Sequence, residues 1–159
     1  MTDRREFIKK VTAGAAAITL GGVGMGFSSK DYSKIIGAND RINIAFIGCG
    51  RRVPAYYDGV TDKKNNIDLL YICDVMKSQR EKTAKILVGR LNIAPTLTSD
   101  IRKVLEDSKV DAIFNATPDH WHAPGTFMAL EAGKHVYVEK PCCHNPYEGE
   151  LLVSFQKKI

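Results

Sequence analysis

The sequence has 159 residues, of which 44% are hydrophobic and 26% are charged, and its formal net charge is +5. These values predict a soluble globular chain with one domain that is large enough to bury an apolar core. The positive charge is modest and forms no basic run, which argues against nucleic-acid binding.

Residues 1–30 are predicted to be a leader that precedes the fold. Arg4 and Arg5 open a charged segment, and residues 11–27 form an apolar run of small side chains. Five glycines make that run a poor membrane-spanning helix, and it is shorter than the ~20 residues that a bilayer core requires. The twin arginine, followed by x-Phe-Ile-Lys, resembles a bacterial twin-arginine export signal and implies a periplasmic protein. No clean A-x-A cleavage site is visible, so a leader that stays as a membrane tether, or an ordinary N-terminal extension, remains open.

A polar linker, residues 31–40, leads into a predicted strand over residues 42–47, which is apolar enough to be buried on both faces. Gly48 and Gly50 follow directly and form half of the dinucleotide-binding fingerprint. There Gly48 permits a tight turn, and Gly50 lets the backbone approach a pyrophosphate at a helix N-terminus. Val53 replaces the third glycine. A lone Gly-x-Gly pair is equally typical of an ordinary turn at a strand end.

Two arginines and an aspartate extend this candidate site. Arg51 and Arg52 follow the glycines, where their guanidinium groups either neutralise cofactor phosphates or block the cofactor. Asp74 directly follows a second predicted strand over residues 68–73. It lies 24 residues (74 − 50) after Gly50, and the fingerprint places a ribose-binding acid about 20 residues on. A carboxylate there repels a 2′-phosphate, which favours NAD over NADP. The alternative role for Asp74 is a helix cap.

The remaining elements alternate between helix and strand. A helix is predicted over residues 77–90, a short strand near 96–98, a helix over 101–107 capped by Ser99 or Asp100, a strand over 111–116, a helix closed by Gly133, a strand over 135–138 and a last helix from about Pro146. Alternating strands and helices predict a doubly wound α/β fold with a parallel sheet, the Rossmann arrangement.

Polar residues follow the last two of these strands. Thr117-Pro118-Asp119-His120-Trp121-His122 comes after the first, and Glu139-Lys140-Pro141 comes after the second. Ligands of open parallel sheets bind beyond the carboxyl ends of the strands, so both clusters are predicted to belong to one site.

Three tracts carry a resemblance to a known family. A-T-P-D-H-W-H, G-K-H-V-Y-V-E-K-P and the opening G-A-N-D-R-I-N-I-A-F-I-G-C-G together resemble the glucose–fructose oxidoreductase / inositol dehydrogenase (Gfo/Idh/MocA) family. The resemblance implies an NAD(P)-dependent oxidoreductase that transfers hydride between a nicotinamide and a carbinol carbon of a sugar, cyclitol or derivative. It also implies a homo-oligomer in the full-length form.

The resemblance assigns expected roles to single residues. Lys140, before a cis proline, is expected to point its ammonium between cofactor and substrate and to assist proton transfer. His122 is the second candidate catalytic residue, with a purely structural role as its alternative. The expected cofactor-binding residues are Gly48, Gly50, Arg51, Arg52, Asp74, Thr117, Pro118, His120, Glu139 and Lys140.

The expected domain organisation follows from the same resemblance. Residues 41–145 are expected to form the Rossmann domain, and residues 146–159 begin a helix that leads to a C-terminal substrate domain absent from this sequence. Two alternatives stay open: a redox-neutral NAD-dependent glycosidase of the same family, and a truncated, non-catalytic nucleotide-binding piece.

The four cysteines do not predict a metal site. Cys49 and Cys73 fall at strand ends, where a small buried thiol is the ordinary interpretation. Cys142 and Cys143 are adjacent, which makes them poor tetrahedral ligands without two further partners.

Overall fold

The computed structural model of the protein describes residues 41–156. The predicted leader and linker, and residues 157–159, lie outside the described residues. Over the described range, no helix combines the length and the apolar character that a membrane crossing requires.

Five parallel strands form one sheet in the order β3-β2-β1-β4-β5. The strands are β1 (Ile42–Ile47), β2 (Ile67–Cys73), β3 (Thr96–Thr98), β4 (Ala112–Asn115) and β5 (His135–Val138). Ile47 pairs in register with Cys73 on one side and with Asn115 on the other, so the strands end level with one another. This confirms the predicted doubly wound parallel sheet, and it brings the segments after β1, β2 and β4 to one edge.

Helices connect the strands. They are α1 (Tyr57–Thr61), α2 (Lys77–Leu87), α3 (Ile101–Glu106), α4 (His122–Glu131) and α5 (Pro146–Gln156), with 3-10 turns at Val53–Tyr56, Lys63–Asn65 and Asp119–Trp121. Asp100 caps α3, because its side chain accepts a hydrogen bond from the backbone N–H of Arg102 at 3.0 Å. The predicted helix over residues 77–90 ends early, because Val88 turns to an extended ψ of 130°.

The core lies on both faces of the sheet. Ile44 and Phe46 of β1 pack on one side, and Ala45 and Ile47 pack on the other. All four side chains are at most 4% exposed, which is the two-sided burial expected for a central parallel strand. Burying a side chain such as Phe46 contributes roughly 1.5–3 kcal/mol, so β1 is a rigid base for the turn that follows it.

The four thiols should differ in reactivity. Burial raises the pKa of the Cys49 thiol to about 12 and that of Cys73 to about 11, whereas Cys142 is exposed and Cys143 is half-buried. Because the thiolate is the nucleophile, iodoacetamide at about pH 8 should alkylate Cys142 first and Cys143 second. Peptide mass spectrometry of the native protein checks this. Alkylation of Cys49 before unfolding would contradict the packing described here.

Candidate cofactor site

A cavity of about 700 Å³ opens at the carboxyl edge of the sheet, between the ends of β1, β2 and β4. Its wall includes Gly48, Gly50, Arg51, Arg52, Asp74, Thr117, Pro118 and His120, together with Val75, Met76, Ile101 and Trp121. Eight of the ten predicted cofactor-binding residues therefore share one cavity. Glu139 and Lys140 are not on its wall.

Gly48 lies where two of the turns that form this wall approach each other closely. Its φ is +83°, and a Cβ built on it would lie 2.7 Å from the Thr117 nitrogen and 2.8 Å from the Ala116 oxygen. The Gly48 backbone N–H also donates to the Cys73 carbonyl at 2.8 Å. The glycine is thus needed for the turn and also for the close approach of the chain after β4.

Gly50 has the opposite environment. It is exposed, and no atom lies within 4 Å of a Cβ built on it. The space beside the backbone is what a pyrophosphate needs in order to approach, so the glycine turn fits a dinucleotide. Val53, at the third glycine position, is fully buried in the core beside Phe46, and here a valine fits where the fingerprint has glycine.

Asp74 connects the glycine turn to the end of β2. Its Oδ2 accepts a hydrogen bond from the Cys49 N–H at 2.7 Å, and its Oδ1 accepts one from the Met76 N–H at 2.7 Å. Each ionised oxygen can accept a further bond, and the half-buried carboxylate lines the cavity. The geometry therefore allows the turn-stabilising role and the ribose-binding role together.

The two arginines differ in their partners. Arg52 Nε donates to Glu139 Oε1 at 2.5 Å, in an ion pair in which the Arg52 side chain is 58% exposed. Arg51 also lines the cavity and is exposed, and it forms no ion pair within the described part of the chain. Arg51 is therefore the cation of the two whose charge is not already offset by a carboxylate.

Glu139 lies beside the cavity instead of in it, which differs from its expected role as a cofactor contact. The residue is 5% exposed, Oε1 accepts from Arg52 and from the Tyr56 hydroxyl, and Oε2 accepts from the Lys140 N–H at 3.1 Å. The hydrogen bonds from Tyr56 and then Arg52 lower the Glu139 pKa to about 2. The carboxylate is committed to these internal partners.

His122 is also turned away from the cavity. It is 3% exposed, with Nδ1 2.5 Å from the Pro141 carbonyl oxygen and Nε2 2.8 Å from the Thr117 carbonyl oxygen. Of the two roles left open by the sequence, this geometry supports the structural one. Lys140 is exposed at the end of β5, and its peptide bond to Pro141 is cis, as expected.

Sequence reasoning missed Asn115, the last residue of β4. This buried side chain donates through Nδ2 to the His122 carbonyl at 3.0 Å and accepts from the Thr117 hydroxyl at 2.6 Å. Gly125 makes room for it, because a Cβ there would lie 2.8 Å from the Asn115 amide nitrogen. A polar residue ending an apolar strand just before the Thr117 cluster was the available signal.

This fold, with its cavity at the carboxyl edge of the sheet, is that of a dinucleotide-binding Rossmann domain. Residues 42–158 match the Gfo/Idh/MocA family, an oxidoreductase family with an NAD-binding Rossmann fold. The chain belongs to this family, as the sequence motifs predict.

Two curated relatives show how the family varies. The α-N-acetylgalactosaminidase of Tannerella forsythia is 31% identical over 144 residues, which is 82% of this chain and 31% of that protein. The D-glucoside 3-dehydrogenase of Escherichia coli (strain K12) is 27% identical over 118 residues, which is 74% of this chain and 32% of that protein. This chain thus spans about a third of the length of either relative.

Among solved structures, the fold matches the WlbA dehydrogenase from Bordetella pertussis in complex with NADH and UDP-GlcNAcA. The TM-score is 0.66 at 23% identity, over 76% of this chain and 34% of that one. At this identity the match supports the Rossmann fold alone.

Proposed function

We propose that this chain is the NAD-binding part of an enzyme that transfers hydride between a nicotinamide and a carbinol carbon of a sugar, cyclitol or sugar derivative. The observation that carries the proposal is the convergence of Gly48, Asp74 and Thr117 on one cavity, with open space beside Gly50. The E. coli relative that bears the name D-glucoside 3-dehydrogenase supports the substrate class.

The chain's own residues divide the work of such a reaction. Gly50 and Arg51 hold the phosphates, and the Asp74 carboxylate accepts hydrogen bonds from the adenosine ribose hydroxyls. The nicotinamide supplies the hydride chemistry when it is bound. Loss of hydride from a carbinol carbon gives a carbonyl only if the hydroxyl proton also leaves. The neutral amine of Lys140 would accept that proton in the oxidation, and the resulting ammonium would return it to the oxygen in the reverse reaction.

In this proposal, Asp74 gives the site its preference for NAD over NADP. A 2′-phosphate would stand against a carboxylate that already accepts two backbone hydrogen bonds. Arg80 is the cation at this end of β2, because its Nη1 donates to the Asp74 carbonyl oxygen, and it would offset part of that repulsion, whereas Arg51 follows the glycine turn.

Asp74→Ser tests the site directly. NADH affinity should fall by about 10-fold or more, because a hydrogen bond to a charged group contributes roughly 1.5–3 kcal/mol. The ratio of NADH affinity to NADPH affinity should also become smaller. Trp121 is the only tryptophan in the chain and lines the cavity, so quenching of its emission by NADH measures affinity. Asp58→Ser, on an exposed aspartate paired with Arg90, is the matched control. Unchanged affinity and discrimination in Asp74→Ser would remove the proposed role.

A redox-neutral NAD-dependent glycosidase is the second candidate. The observation in its favour is the 31% identity to a relative named α-N-acetylgalactosaminidase. The two activities differ in their cofactor balance. Net NADH formation from a free sugar indicates the dehydrogenase, whereas release of an aglycone without net change in NADH indicates the glycosidase.

A further inference from the structure

The Lys140–Pro141 turn is held on one side by Glu139. One carboxylate oxygen accepts the backbone N–H of Lys140 itself, at 3.1 Å, and the other accepts Arg52 Nε at 2.5 Å. Arg52 belongs to the glycine turn, 87 residues away along the chain. A single buried side chain therefore joins the phosphate-binding turn to the peptide group that precedes the Lys140 side chain.

The same turn is held on its other side by His122. One ring nitrogen lies 2.5 Å from the Pro141 carbonyl, directly after Lys140, and the other lies 2.8 Å from the Thr117 carbonyl. Thr117 belongs to the cavity wall beyond β4. Both partners are carbonyl oxygens and a neutral imidazole donates to only one of them, so it is the Nδ1–H tautomer that would hydrogen-bond the Lys140–Pro141 turn while Nε2 faces the Thr117 carbonyl.

We propose that Glu139 and His122 are positioning residues, which together fix the Lys140 side chain relative to the cofactor cavity. The inference rests on the proposed function, in which Lys140 meets the reacting oxygen. Neither residue lies on the cavity wall, and their bonds end on the amide of Lys140 and the carbonyl of Pro141. Because Lys140 itself is exposed, its position is set by these two anchors, one on each side of the turn, and not by packing around its own side chain.

The geometry makes the placement of Lys140 sensitive to both anchors. A displacement of about 1 Å at a reacting group can cost on the order of 10²-fold in rate. Loss of either anchor frees one end of a short turn, while Gly48, Gly50 and Asp74 stay in place on the sheet edge. Variants of Glu139 and His122 should therefore change the placement of Lys140 and leave the cofactor affinity largely unchanged.

Glu139→Gln tests the first anchor. The amide keeps the size of the carboxylate but removes its charge and one of its two acceptor atoms, so Arg52, Tyr56 and Lys140 can no longer all be satisfied. If the variant does not fold, Tyr56→Phe removes a single donor to the same carboxylate and serves in its place, with a smaller expected effect.

His122→Asn and His122→Gln test the second anchor. A neutral imidazole donates from one nitrogen only, and the amide of Asn can replace Nδ1 while that of Gln can replace Nε2. Because Nδ1 faces Pro141, Asn should keep the anchor on the Lys140–Pro141 turn and Gln should lose it. A general packing role for His122 predicts no such difference between the two amides.

Two readouts separate positioning from folding. NADH affinity is measured by Trp121 quenching. The rate at which an amine reagent modifies Lys140, with and without NADH, is measured by peptide mass spectrometry with exposed Lys109 as internal reference. In the wild type, NADH should slow Lys140 modification at least about fivefold. In Glu139→Gln and His122→Gln, NADH should slow it less than about twofold, while the NADH affinity of each variant stays within about threefold of the wild-type value. His122→Asn should retain the protection.

Each result has a definite meaning. Retained protection in Glu139→Gln and His122→Gln overturns the inference, and so does a parallel fall of affinity and protection, which indicates a folding defect alone. Failure of the wild type to bind NADH is a different outcome, because it removes the proposed function itself.

Discussion

Gly48→Ala should lower NADH affinity more than about 100-fold and also destabilise the fold, because two costs coincide at one position. Alanine at a φ of +83° is strained, and its methyl carbon would lie 2.7 Å from the Thr117 nitrogen. Since the atoms that this methyl carbon would meet, in Thr117 and Ala116, are all backbone atoms, no side chain can rotate to relieve the contact. The turn after β4 must move, and with it the cavity wall that Thr117 and Pro118 form. Trp121 quenching and thermal unfolding measure the two effects.

Two other glycines provide controls for this substitution. Gly50→Ala places its methyl group in open space, so stability should stay unchanged while NADH affinity falls, because the cofactor backbone contact is lost. Gly59→Ala lies within α1, also with no atom within 4 Å, and should slightly raise stability without affecting affinity. A Gly48→Ala variant that binds NADH like the Gly59→Ala control would contradict the described approach of the two turns.

The sheet and the cavity could be predicted because they depend on local patterns. Strand β1 is an apolar run that Gly48 follows directly, and strand β2 is one that Asp74 follows directly. Parallel strands must end at the same edge, so the residues that follow them are brought together by topology alone. Residue type and spacing then predicted the carboxylate next to the glycine turn.

The partners of charged and polar side chains could not be predicted in the same way. Glu139 and Arg52 are separated by 87 positions, and nothing in either segment identifies the other as its partner. Each adjoins a motif that predicts a cofactor contact, yet the fold pairs the two side chains with each other. His122 was ambiguous for a related reason, since its burial depends on the path of the Pro141 turn.

Arg52→Ala should destabilise the protein at neutral pH, because it leaves the Glu139 carboxylate, which is 5% exposed, without its ion-pair partner. The loss of stability should be smaller than for a fully buried pair, because solvent screens the charge of an Arg52 side chain that is more than half exposed. Arg51→Ala is the matched control. It should change stability by no more than about 0.5 kcal/mol, and it should weaken NADH binding about tenfold by removing a phosphate cation. Urea unfolding and Trp121 quenching measure the two quantities.

The dependence of this effect on pH identifies Glu139 as its source. The folded-state pKa of Glu139 is lowered to about 2 from a usual 4.5, so its stabilisation is complete above the usual value and is lost as the pH falls through the folded one. Because Glu139 titrates identically in the two unfolded chains, the stability difference between wild type and Arg52→Ala should be constant at neutral pH, shrink as the pH falls through the raised Glu139 pKa of the variant, and be lost near the wild-type value of about 2. In Arg52→Ala the carboxylate loses a cation, so its own pKa moves upward and it takes up its proton earlier on acidification. A difference that stayed constant down to about pH 3 would place the loss in the packing of the Arg52 stem and not in its charge.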